Sequence, residues 1–186
     1  MSELLGGRPS QDTRPVCILA QDEGRFGRIN EPRRCWAPRP RRPSAPRQIV
    51  REYVYVFSAV CPAEGRMTSL ILPKANTEAM ALFLEHLSAE FADAFLIVVM
   101  DQAGWHLSRR LHVPANIRLL LLPPYSPELN PVEHLWEDLR EKDLANQAFS
   151  SLDGLEDRLC EGLQRLMADP RYLQSLTAFP YLEFTL

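Results

Sequence analysis

The sequence predicts an α/β domain: one mixed sheet in which an antiparallel meander passes into parallel strands, with helices covering it. Three observations lead there. "REYVYVFSAVCP", "AEGR" and "MTSLILP" read as strand, turn and returning strand over residues 52 to 73, because Val, Tyr, Phe and Ile suit a pleated surface. "AFLIVVMD" is a continuous apolar run up to Asp101 and "NIRLLLLPP" reads as another such strand, the pattern of strands buried on both faces. "NTEAMALFLEHLSAEFA" and "SLDGLEDRLCEGLQRLM" instead repeat their apolar residues at helical spacing.

In chain order, residues 1–13 are polar and Gly-containing, which predicts a flexible N-terminal tail and leaves 14–186 as a single domain. "RPVCILAQDEGRFG" predicts a short buried strand that delivers Asp22 and Glu23 to its exit. "RRCWAP" is expected to form a brief strand before prolines stop it. After the hairpin, Met80, Phe83, Leu84, Leu87 and Phe91 mark the buried stripe of a helix capped by Asn76 or Thr77. Asp101 ends the first apolar run, and Pro123 and Pro124 end the second. "YSPELNP" reads as a stiff connector to a helix from Pro131, with Val132, Leu135, Trp136 and Leu139 on its apolar face. A second amphipathic helix follows from Ser150. This order is that of a ribonuclease-H-like fold, an order that several other α/β folds share.

A chain of 186 residues is most economically one domain and buries roughly 70% of its unfolded surface. Its 46% hydrophobic and 24% charged residues lie in the globular range. No stretch approaches the roughly 18 apolar residues of a membrane helix, and "MSELLGGRPSQDTR" has no signal core, so a soluble, cytoplasmic protein is expected. Cys17, Cys35, Cys61 and Cys160 form no C-x-x-C pair, which argues against zinc and leaves them as small buried hydrophobes. The net charge of -3 hides an uneven distribution. Arg33, Arg34, Arg39, Arg41, Arg42 and Arg47 lie among four prolines with no acid between them. That segment reads either as a phosphate contact or as an exposed loop kept soluble by charge.

Asp22 and Asp101, at the ends of two strands, would project into one crevice if those strands were neighbours. Glu133 follows Asp101 by 32 residues (133 − 101), enough chain for a loop, a strand and a turn back to the same edge. Three converging carboxylates repel one another and take up protons unless divalent cations compensate them. Mg²⁺ prefers carboxylates, water and phosphate oxygens, and two ions about 3.5–4 Å apart can drive an in-line displacement at phosphorus. Structural readings stay open beside this one. Asn130, Pro131 and Glu133 fit a capped helix start, Asp22 and Glu23 fit turn residues, and His106 fits a hydrogen-bonded loop residue.

"QDEGRFG", "MDQAGWHLS" and "LLPPYSPELNPVEHLWEDLRE" together resemble the catalytic domain of mariner-related bacterial insertion-sequence transposases, the DDE endonuclease group. The resemblance runs in order from about residue 15 to about residue 179 and includes "WAPRPRRP" and "YVFSAVCPAEGR". It implies a ribonuclease-H-like domain with two Mg²⁺ or Mn²⁺ ions on Asp22, Asp101 and Glu133. Such enzymes cleave phosphodiesters at transposon ends and use the freed 3′-hydroxyl for strand transfer into target DNA. His106 matches a histidine of the family and would help position water or phosphate. Asn130 would fix the helix start that aims Glu133, and Glu23 would be a weaker metal candidate than Asp22. Arg33, Arg34, Arg39, Arg41 and Arg42, next to the first acid, would track DNA phosphates. Trp36 and Trp105 would either pack in the core or stack on displaced bases.

Family members carry helix-turn-helix segments ahead of the catalytic domain, and about fourteen residues precede the first strand here. The expectation is that this part is separately encoded and joined by frameshifting, or that the copy is truncated. A homodimer is expected, since two double-stranded DNA ends must be handled together. The rival functions are a non-catalytic remnant that binds DNA or a transposase, and a ribonuclease-H-like host nuclease.

Overall fold

The computed structural model describes residues 8, 12–30, 32–40 and 42–179. β1 (Val16–Ile29) is the centre of a five-stranded sheet with β2 (Ile49–Cys61), β3 (Arg66–Leu72), β4 (Phe95–Met100) and β5 (Ile117–Leu121), in the order β3-β2-β1-β4-β5. β1, β2 and β3 pair antiparallel, whereas β1 with β4 and β4 with β5 pair parallel. The mixed sheet is therefore the one the sequence predicts.

Strand alternation sorts the core into two halves. Cys17, Leu19, Leu96, Val98 and Met100 face α1 (Thr77–Glu90), whose Met80, Phe83, Leu84 and Leu87 are fully buried. Asn76 caps α1 by accepting from the Ala79 amide at 2.9 Å. Ala20, Phe26, Val56 and Val99 face the other layer, formed by α2 (Val132–Asp138), α3 (Leu152–Met167) and α4 (Pro170–Thr177). α2 runs on into a π-helical turn, Leu139–Asp143. Arg165 clamps that turn to α3 through Asp138 at 2.5 Å and Asp143 at 2.6 Å. No helix of the described residues is long and apolar enough to cross a membrane.

Four expectations change. β5 is an edge strand with Leu120 and Leu121 exposed, so it is not buried on both faces. β1 does not stop at Asp22: it continues to Ile29, paired with β2 alone beyond Ala20, so neither Asp22 nor Glu23 is a turn residue. "RRCWAP" forms no strand. Cys17 and Cys61 are buried, but Cys35 and Cys160 are exposed. Most of the predicted tail, residues 1–7 and 9–11, lies outside the described residues. Within it Asp12 is bound to Arg14 at 2.6 Å.

Candidate active site

The β1–β4 ladder ends with Ala20 opposite Val99. Two residues further along each strand stand Asp22 and Asp101. Partners in parallel strands share a face, and each second residue returns to it, so both belong to the face covered by α2. The Trp136 indole Nε1 donates to Asp22 Oδ2 at 2.8 Å. Gly24 makes room for that indole, since a Cβ there would meet the Trp136 ring at 2.9 Å.

Asn130 ties the start of α2 to the same strand. Its Nδ2 donates to the Gln21 carbonyl at 2.9 Å, and its Oδ1 accepts from the Val132 amide at 3.2 Å. The first helical turn is thus docked against β1 with Glu133 beside Asp22. Asp22, Asp101 and Glu133 line one open cavity of about 400 Å³. Tyr125 stands on its rim, fully exposed and held at φ 57° between prolines, a backbone region uncommon for a bulky residue. In the sequence Tyr125 is marked only as part of a stiff connector.

The acids differ electrostatically. Burial pushes the Asp22 carboxyl up to about 7; the Trp136 hydrogen bond opposes this, while the charges of Glu133 and Glu23 add to it. Asp101 is held below the ordinary carboxylate range, chiefly by its hydrogen bond with His106. The three acids share the cavity without closing to the spacing of one ion. Among the described residues, the group of three ligand-bearing side chains whose donor atoms all lie within 4.8 Å of one another is Cys17, Cys61 and Glu64. In the cysteine group the exposed Glu64 is paired with Arg66 at 2.9 Å.

His106 is not placed to touch water or phosphate. Its side chain is fully buried, with Nδ1 at 2.8 Å from Asp101 Oδ1 and Nε2 at 2.9 Å from Glu23 Oε1. Burial alone would push the imidazole down, but the hydrogen bonds to Asp101 and Glu23 outweigh it and raise it to about 10. Glu23 faces away from the cavity because it is one residue from Asp22 in a strand; it binds His106 and accepts from Gln21 Nε2 at 2.9 Å. Period-two alternation through "QDEG" was the signal that separates the two acids.

The arginine segment begins well along β1 from Asp22. It leaves β1 after Ile29, seven residues on, roughly 20 Å by strand rise. Arg33, Arg34, Arg39 and Arg42 are exposed, and Arg41 lies outside the described residues. Arg33 is paired with Glu141 at 3.3 Å, and its backbone bonds to the Asn146 side chain at 2.8 Å. Trp36 is fully exposed, which overturns core packing for it, whereas Trp105 packs against the α1 half of the core. A second cavity of about 260 Å³ at the root of the segment is lined by Arg25, Arg28 and Arg140 as well as Arg33, three cations that sequence reasoning passed over. Of these, Arg28 is engaged with Glu52 at 2.6 Å and the Phe149 carbonyl at 2.9 Å.

A β3-β2-β1-β4-β5 mixed sheet with helices on both faces is a ribonuclease-H-like core, and Asp22, Asp101 and Glu133 line a cavity where its parallel strands end. Residues 17–156 match the family model of the DDE superfamily endonucleases. The chain belongs to that family, whose enzymes are nucleases and polynucleotidyl transferases. It is 40% identical over 125 residues to an uncharacterized protein of Sinorhizobium fredii, covering 67% of this chain and 93% of that one. The fold is shared with the Mos1 mariner paired-end complex with Mn (TM-score 0.64, 17% identity, 87% of this chain and 51% of that one). The corresponding complex with Mg gives a TM-score of 0.63 at 17% identity, with the same 87% and 51%. The chain thus spans about half the length of the Mos1 chains it matches.

Proposed function

We propose that this chain is the catalytic domain of a DNA transposase, with residues 14–186 as the catalytic unit behind a tail of residues 1–13. It would cleave phosphodiesters at transposon ends and transfer the freed 3′-hydroxyl into target DNA. The observation that carries this reading is the one cavity lined by Asp22, Asp101 and Glu133, the first two lying two residues past Ala20 and Val99, the last β1–β4 pair. The donor set suits Mg²⁺ or Mn²⁺, because it consists of hard carboxylate oxygens and one acid, Asp22, is biased toward protonation without a cation. Ligands shared over two ions about 3.5–4 Å apart need not all lie within reach of a single ion, so the wide spacing of the acids accommodates a pair. Bound there, divalent ions would supply charge stabilisation at the reacting phosphate and lower the pKa of the attacking water.

The protein's own groups have separate tasks. Trp136 and Asn130 fix Asp22 and the start of α2, so the carboxylates present oxygens into a preformed cavity. The exposed Tyr125 ring offers a stacking surface to a base beside the scissile phosphate. Arg34, Arg39 and Arg42, with Arg33 and Arg41, would hold DNA phosphates at a distance from the chemistry. Recognition of the element's ends is assigned to a helix-turn-helix part, and handling of two ends to a homodimer, working in the bacterial cytoplasm.

The test is nicking and strand transfer on supercoiled and end-bearing DNA, with Mg²⁺ or Mn²⁺ and with Asp101→Asn as control. Metal-dependent activity lost in the variant supports the reading. Activity that survives the substitution contradicts the site. DNA binding without cleavage, indifferent to the substitution, would instead favour a binding remnant.

A further inference from the structure

We infer that Glu23 and His106 form a positioning relay that fixes how Asp101 presents its carboxylate to the cavity. The inference rests on the proposed reading of Asp101 as a metal ligand. Both ring nitrogens of His106 face oxygens: Nε2 meets Glu23 Oε1 at 2.9 Å, while Nδ1 meets Asp101 Oδ1 at 2.8 Å and the Asp101 carbonyl at 3.1 Å. A ring that meets acceptors at both ends donates from both. The Ala103 amide adds a second donor to Asp101 Oδ1 at 3.0 Å. One oxygen of Asp101 is therefore saturated by the protein, and Oδ2 has no protein donor among the described residues.

The relay crosses the sheet edge. Glu23 stands on the α1 side of β1 and Asp22 on the α2 side, so one strand supplies both a cavity acid and the anchor of the other acid's partner. Gln21 braces Glu23 from two residues upstream at 2.9 Å. The side chains of His106 and Glu23 are both buried, whereas Asp101 is half-exposed on a loop. The half-exposed carboxylate is thereby tied through one oxygen to buried groups, which leaves Oδ2 for coordination.

Two substitutions separate the contacts. The amide nitrogen of Asn falls near the place of Nδ1, and that of Gln near Nε2. His106→Asn therefore keeps a donor for Asp101, while His106→Gln keeps only the one toward Glu23. Binding of Mn²⁺ to the purified chain is read from the loss of the free-ion electron paramagnetic resonance signal. The relay predicts a dissociation constant raised ~10–100-fold in His106→Gln and by only a few fold in His106→Asn. Cleavage by His106→Gln should recover when Mn²⁺ is raised in proportion. Glu23→Gln, nearly isosteric, keeps the test alive if the histidine variants do not fold, and is expected to weaken Mn²⁺ binding several-fold. Native affinity in the folded variants, or equal losses in Asn and Gln, would overturn the relay. Asp101→Asn run in parallel separates the two ideas: native Mn²⁺ affinity there sinks the metal-site reading itself, whereas a loss there beside native His106 variants sinks the relay alone.

Discussion

The acid cavity and the basic segment lie off the same strand and are built in opposite ways. At the cavity every carboxylate is fixed by the fold: Asp22 by Trp136, Asp101 by His106 and Ala103, and the Glu133 turn by Asn130. The arginine segment carries more charge but almost no internal structure, with Arg34, Arg39, Arg42 and Trp36 all exposed. Chemistry requires oxygens at set places before substrate arrives, so the sheet supplies them. On the proposed reading the arginine segment needs only cations within reach of phosphates, a task that demands no fixed geometry.

This contrast breaks if the two regions cannot be uncoupled. The largest effect is expected from Asp101→Asn or Glu133→Gln, which should lower the cleavage rate on the order of 10³-fold or more while DNA affinity stays native. A gel-shift assay beside a nicking assay checks both halves. Replacing Arg34, Arg39, Arg42 and Arg47 together by Ala should do the reverse. The log–log salt slope of DNA binding should shrink by about 3–4, a loss of about 100-fold in affinity between low and moderate salt, with the rate on saturating DNA retained.

Two smaller effects sharpen the cavity side. In metal-free protein the Asp22 carboxyl is raised by burial from 3.8 to about 7. As pH rises through that window the unfolded chain gives up this proton first, so the folded state loses stability between about pH 4 and pH 7. Asp22→Asn should remove that loss, a gain of a few kcal/mol at pH 8 at roughly 1.4 kcal/mol per pH unit, and no gain at pH 4. Urea unfolding at the two pH values measures it. Gly24→Ala should cost about 1–3 kcal/mol by driving a methyl into Phe26 and Trp136. A change in Trp136 fluorescence should accompany the lower melting temperature.

Much of this fold was legible because its strongest elements are locally self-consistent. The continuous apolar run before Asp101, the helical stripe from Met80 to Leu87 and the Asn130 helix start all match their surroundings. The full length of β1 is hidden in the sequence because its apolar run stops at Ala20 while its pairing with β2 does not; a strand half covered by one neighbour need not read as apolar. Glu23 sits beside Asp22 in the chain but on the opposite face, so adjacency suggested a shared role that alternation removes. Trp36 was expected inside because tryptophan is generally buried, and nothing local marks a segment that leaves the body of the protein. The distance from Asp22 to the arginines was hidden for the same reason: it depends on how far β1 continues.

Anomalous diffraction from a crystal of the native chain soaked in Mn²⁺ bears on the central claim most directly. The account predicts manganese peaks inside the cavity, in contact with oxygens of Asp22, Asp101 and Glu133, with His106 still bonded to Asp101. Manganese bound elsewhere, for instance at Cys17, Cys61 and Glu64, with that cavity empty, would contradict it.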